Sequence, residues 1–294
     1  RFDYADREHM FDEISYQKGG RIIHMLRKTV GDAAFFKALN LYLTRNAYKS
    51  AEIHDLRLVF EEVTGTDMNW FFNQWFLASG HPVLDIQNTF DPERKEVSVT
   101  IRQNQDLSKT PLYRIPIAID IYINGKVERK DIVLDKQKQS FIFPVAALPD
   151  LVNVDAEKYI LAEKSEIKTL QQYVFQYEHA PLFMDRMEAV IMLLQKKDES
   201  LSKRILISAF KDKNWVIRNA ALIVLESLSN EEKISVYGKI KELALKDSNS
   251  QVRASAVEIL GKYFRSMDNR NVFAITARDK SLAVKKATND ASQK

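Results

Sequence analysis

The spacing of apolar residues changes twice along the chain. In residues 1–80 it is helical. Gly19, Ile23, Leu26 and Val30 are spaced 4, 3 and 4 apart, one face of a 3.6-residue period. Gly31 fits the position past a helix C-terminus, and Asp32 a cap for the next helix. Ala34, Phe35, Ala38, Leu39 and Tyr42 continue the pattern, and Ile53, Leu56, Val59, Phe60 and Val63 predict a third helix. Thr64-Gly65-Thr66-Asp67 breaks that helix and caps a fourth, from Met68 to Ala78. The aromatic density of this fourth helix (Trp70, Phe71, Phe72, Trp75, Phe76) reads as core. Four short helices make a thin core, so they are expected to bury their faces against something larger.

At Gly80-His81-Pro82 the period falls to two. Val97, Val99 and Ile101 alternate with Ser98, Thr100 and Arg102, and Ile115, Ile117, Ile119, Ile121 and Ile123 alternate over nine residues. Asn124-Gly125 follows at once, a hairpin signal because both turn positions require positive φ, and Val127 to Leu134 is expected to return antiparallel. Phe141, Phe143 and Val145 alternate again, and Val152 and Val154 suggest a last strand. Six or seven short strands separated by turns predict an antiparallel β-sandwich, with no catalytic constellation inside it and a role as brace or spacer.

From about residue 158 the texture is helical again, and it repeats. Asp212…Ile217-Arg218 matches Asp247…Val252-Arg253 and Asp279…Val284-Lys285: an acid, four residues, a β-branched apolar residue and a base. The bases are 35 and 32 residues apart, and Arg186 lies 32 before Arg218. A period of that length with helical texture marks an α-solenoid whose units cannot bury their own faces. Ala220, Ala221, Ala254 and Ala256 allow close helix approach, and the pattern resembles HEAT repeats. The acids and bases are open to two readings: a ladder between neighbouring repeats, or helix caps and surface charge.

Composition narrows the chemistry. Apolar residues are 45% and charged residues 29%, a soluble globular balance, and no apolar run approaches the ~20 residues of a membrane span. With no cysteine, disulfides, thiolate metal sites and cysteine nucleophiles are excluded. The net charge of +4 is concentrated in residues 165–294, where 22 basic side chains face 16 acidic ones. That surplus reads as a solvated helical face, because no basic stripe interleaved with aromatics points to nucleic acid. Residue 1 is an arginine without a signal-peptide pattern, which leads us to expect a missing N-terminal part. The compartment, cytoplasmic or exported, and the oligomeric state stay open.

Most familiar catalytic motifs are absent: no glycine-rich phosphate loop, no Gly-x-Ser-x-Gly elbow, and no His-Glu-x-x-His among His9, His24, His54, His81 and His179. Each histidine reads as structural or exposed. Glu61 and Glu62 are adjacent and so point to different sides of a helix. Tyr16 stands apart. Periodicity alone reads it as a buried tyrosine at a helix start, with Gly19 permitting a close contact. Chemically, a phenol with an ordinary pKa of about 10 keeps its proton at neutral pH and can donate one hydrogen bond to a developing oxyanion.

Two motifs decide between these readings. Tyr16-Gln17-Lys18-Gly19 resembles the Tyr-x-Lys-Gly motif of the aminopeptidase N family of zinc peptidases, with Gln17 where Glu is common. Gln74-Trp75 through Gly80-His81-Pro82-Val83 resembles that family's closing Trp-to-Gly-x-Pro segment, with His81 where an aromatic is common. The order of parts is also similar. The resemblance implies the helical end of a thermolysin-like catalytic domain over residues 1–80, a β-sandwich over 81–160 and a HEAT-like domain over 161–294, a multidomain α and β chain. It implies peptide substrates, a zinc that activates water in the parent protein, a general-base glutamate in the zinc motif, and Tyr16 as the oxyanion-stabilising catalytic residue. It leaves Lys18 a structural role, and gives the solenoid the task of restricting which peptides enter. The chain itself, lacking the zinc motif, is expected to bind no zinc and to be inactive alone. The competing reading is a non-catalytic sandwich-plus-HEAT scaffold that binds protein partners.

Overall fold

The computed structural model describes Asp6, Glu8, Asp12 and residues 14–293, with Ile14 and Ser15 described by their backbone alone. The expectation for His9 lies outside these residues. Two compact units divide the chain, residues 1–167 and 168–294.

In the first unit the helical spacing forms helices where it predicts them. A π-helical turn over Ile14–Lys18 runs into α1 (Gly19–Val30), followed by α2 (Asp32–Arg45), α3 (Ile53–Thr64) and α4 (Asn69–Phe72). Gly31 ends α1 at φ +80, its N–H bonded to the Arg27 carbonyl. Asp32 caps no helix with its side chain; it is the first residue of α2 and takes the Arg27 guanidinium through two bonds of 2.8 and 2.7 Å. The helix expected from Met68 to Ala78 is split, because α4 passes into a second π-helical turn at Asn73–Leu77. Asp67 accepts the Asn69 N–H at 2.7 Å just before its start, but the capping position is Met68, which makes no side-chain cap bond.

Seven strands follow among the described residues: β1 (Val83–Asp91), β2 (Glu96–Gln103), β3 (Ile115–Ile123), β4 (Lys126–Leu134), β5 (Lys138–Pro144), β6 (Leu151–Val154) and β7 (Glu163–Glu166). They form a four-stranded sheet ordered β5-β2-β1-β7 and a three-stranded sheet ordered β4-β3-β6. The hairpin closes as its turn residues require, with Asn124 at φ +50, Gly125 at φ +73 and Ile123 opposite Lys126. Apolar side chains of both sheets (Leu84, Val97, Ile101, Ile117, Val152) share one core with Leu26, Phe60 and Trp75. The strands are therefore the larger surface that the four helices needed.

The helical texture expected from about residue 158 begins only at Leu170, since β7 lies before it and pairs in parallel with β1. The sequence of β7, Glu-Lys-Ser-Glu, carries no apolar alternation. Backbone pairing along a sheet edge holds it, and that leaves no side-chain signature.

The second unit is helical: α5 (Leu170–His179), α6 (Phe183–Gln195), α7 (Ser200–Ser208), α8 (Trp215–Ala221), α9 (Asn230–Lys246), α10 (Ser250–Tyr263), α11 (Arg270–Thr276) and α12 (Leu282–Ser292). Of the two readings of its charges, the geometry shows a ladder. Arg186 reaches Asp212 at 2.8 Å, Arg218 forks onto Asp247 at 2.7 and 2.7 Å, and Arg253 onto Asp279 at 2.8 and 2.9 Å. Each rung also ties its own corner. Arg218 and Arg253 donate to the carbonyls of Asp212 and Asp247, both at 2.8 Å, while the same aspartates accept the N–H groups of Asn214 and Asn249. Asn214 and Asn249 then cap α8 and α10. Close packing accompanies the ladder: a Cβ at Gly261 of α10 would sit 2.6 Å from the Cβ of Ala291 on α12.

The rungs differ in burial. Arg186 and Asp212 expose only 9% and 4% of their side chains. Removing the cation strands a buried carboxylate, so Arg186→Met is expected to cost about 3 kcal/mol of stability, read by urea denaturation. Arg253→Met should cost less, because its pair is partly exposed. The Arg253 guanidinium holds the Asp279 carboxyl below its ordinary 3.8. A lowered folded-state pKa stabilises the fold above the unfolded value, and the gain is lost as pH falls through the lowered one. Asp279→Asn should therefore flatten the fall in stability below pH ~4, measured by denaturation across that range.

Candidate functional site

The first motif up to Lys18, and the start of the second, fall on π-helical turns. Tyr16 lies in Ile14–Lys18, and Gln74 and Trp75 lie in Asn73–Leu77. Such turns, with one residue more than an α turn, often mark functional positions because they re-aim the side chains around them. Tyr16 is 63% exposed, so the buried-core reading of this residue does not hold. Its backbone N–H bonds the Asp12 carbonyl at 3.1 Å.

The structure joins the two motifs directly. The Lys18 Nζ donates to the Gly80 carbonyl at 2.7 Å, across 62 residues of sequence. Burial pushes the Lys18 amine below its ordinary 10.5. Further along α1, Arg21 donates to the Lys158 carbonyl at 2.8 Å and Lys28 pairs with Glu157 at 2.7 Å, tying the helix to the segment after β6.

The second motif is fixed by side chains that replace backbone pairing. Gln74, nearly buried, accepts the Arg114 N–H at 2.9 Å and donates to the Arg114 carbonyl at 2.8 Å. Trp75 packs on Tyr113 with ring centroids 4.7 Å apart, and burial pushes the Tyr113 phenol up to about 12. Gln103 holds both backbone groups of Tyr113, at 3.0 and 2.8 Å. Gly80 adopts φ +82, where a Cβ would lie 2.4 Å from the Thr110 hydroxyl oxygen, so glycine is required on both counts. Ser79 donates to the Lys109 carbonyl at 2.8 Å, and the His81 Nε2 meets Glu163 at 2.8 Å.

The remaining candidates fall where their sequence context suggested. Glu61 pairs with Arg57 and Glu62 with Arg45, so the adjacent carboxylates face different partners. Among the described residues no group of three or more His, Asp or Glu side chains is placed to hold a metal ion. Nor, among them, is any helix long and apolar enough to cross a membrane. Arg114, Gln103 and Thr110 went unread in the sequence. Their roles depend on which distant residues they meet, and no periodicity records that.

Residues 2–75 match the Peptidase family M1 domain, a stretch that contains Tyr16, Lys18, Gln74 and Trp75. These residues belong to the M1 peptidase family. The chain is also similar to aminopeptidases. Over 118 residues the chain is 31% identical to aminopeptidase N of Escherichia coli, covering 38% of this chain and 13% of that protein. Over 155 residues it is 30% identical to leucyl aminopeptidase of Saccharolobus solfataricus, covering 52% of this chain and 19% of that one. The matches thus span less than a fifth of those relatives' length. The fold is similar to that of Legionella pneumophila aminopeptidase A, crystallised in complex with aspartic acid. There the TM-score is 0.74 at 13% identity, covering 99% of this chain and 41% of that one.

Proposed function

We propose that this chain is the C-terminal portion of a metallo-aminopeptidase that hydrolyses N-terminal residues from peptides, and that Tyr16 is its catalytic contribution. The observation that carries this reading is the exposed phenol of Tyr16 on a π-helical turn, inside the residues that match the M1 domain. At 63% exposure the Tyr16 side chain lies at the surface, where a substrate can approach it. Its proton can be donated to the scissile carbonyl oxygen as negative charge develops there, a preorganised interaction that favours the transition state over the ground state. In this reading the zinc is held by residues of the whole protein outside this chain, and the seven strands and the HEAT-like helices form a β-sandwich and a solenoid that shape which peptides reach the site.

In the whole protein, Tyr16→Phe is expected to lower kcat by about 10²–10³ on an aminoacyl p-nitroanilide, with KM and thermal stability nearly unchanged. An unaltered kcat removes Tyr16 from the mechanism. The purified 294-residue chain should hydrolyse none of that substrate with or without added zinc; turnover by it overturns the division of labour. Absence of His-Glu-x-x-His from the rest of the protein leaves the non-catalytic scaffold as the reading.

A further inference from the structure

A side chain as exposed as that of Tyr16 takes little of its orientation from core packing, yet an oxyanion donor must be held within a fraction of an ångström of its target. Lys18 lies two residues on, in the same π-helical turn, and its Nζ bonds the Gly80 carbonyl at 2.7 Å. Among the described residues the amine pairs with no carboxylate, so this charge-assisted bond is its tether.

The acceptor is rigid. Gly80 sits at φ +82 beside Thr110, Ser79 on one side bonds the Lys109 carbonyl, and His81 on the other bonds Glu163. The Pro82 carbonyl and the Val83 N–H are taken by the Glu163 N–H and the Gln105 side chain. A turn pinned at Lys18 to such an anchor cannot rotate about its axis, and its rotation sets where the Tyr16 phenol points.

We propose that Lys18 is a positioning residue for Tyr16, its bond to the Gly80 carbonyl setting the direction of the phenol. The inference rests on the catalytic reading of Tyr16 and adds to it: the lysine of the first motif and the glycine of the second form one device. Neither touches the reacting atoms.

The test is a double-mutant cycle in the whole protein, with hydrogen exchange on the 294-residue chain as a readout independent of activity. Lys18→Met keeps the length of the side chain and removes the donor. It should lower kcat by up to about 10²-fold, the scale set by a displacement of ~1 Å, with KM little changed. Lys18→Arg, which retains a donor, should recover most of that loss. In a Tyr16→Phe background Lys18→Met should cost almost nothing more, because a misdirected ring without its hydroxyl has nothing left to lose. In the chain alone, Lys18→Met should speed exchange of the amides of residues 15–19 while α2 and α3 keep their protection. If Lys18→Met does not fold, Lys18→Gln, with a shorter donor, takes its place in the same cycle. The proposal is overturned if the losses of the two single variants multiply in the double variant, or if Lys18→Met leaves kcat intact while Tyr16→Phe lowers it. A Tyr16→Phe variant with full activity instead overturns the catalytic reading beneath it.

Discussion

The first unit depends on amide side chains that take over the pairing of a backbone. Gln74 satisfies both the N–H and the C=O of Arg114, and Gln103 does the same for Tyr113. Two successive residues of the segment leading into β3 thereby reach their hydrogen bonds without a neighbouring strand, which lets an irregular stretch lie under the aromatic helix. Buried backbone groups left unmet would each cost ~1–3 kcal/mol, so these glutamines fix both the path of the chain and its order. Everything anchored to that stretch inherits its rigidity: Trp75 on Tyr113, the turn at Ser79 and Gly80, and through Lys18 the start of α1.

The second unit solves a related problem with charge. Its corners between helices would leave carbonyls exposed, and each arginine of the ladder bonds both the carbonyls of its own corner and the carboxylate of the next. The aspartate turns back to accept an N–H from its own corner, and the asparagine two residues on caps the helix. One short pattern thus does three tasks: it stops one helix, starts another and couples neighbouring corners. A surface ion pair contributes little alone, whereas these pairs are partly or wholly buried and forked, so their geometry specifies the spacing of the helices.

Much of this was legible in the sequence because periodicity records burial. The isoleucine alternation of β3, the Asn124-Gly125 turn and the acid-to-base repeat each left a pattern that a solvent-facing loop could not mimic. What left no pattern was backbone pairing. The strand at Glu163–Glu166 is held by the edge of β1 and has polar side chains throughout, so it read as part of a helical region. At the candidate site, Tyr16 was found through its motif, because a single phenol has no periodicity. The amine-to-carbonyl bond that joins Lys18 to Gly80 spans 62 residues, and only folding reveals it. Both π-helical turns were likewise invisible, since their composition is that of an ordinary helix.

Those two turns carry a consequence for how the chain tolerates change in length. A π-helical turn holds one residue beyond the α count, and each residue of an α-helix turns the axis by about 100°. Losing a single residue from Ile14–Lys18 or Asn73–Leu77 would return the turn to the α count, so the segments on either side keep nearly their register while the side chains within the turn are re-aimed. Substitutions in these segments act on side chains one at a time. A one-residue deletion is absorbed within the turn itself, changing the aim of Tyr16 and Lys18, or of Gln74 and Trp75, while the flanking helix keeps its place in the fold.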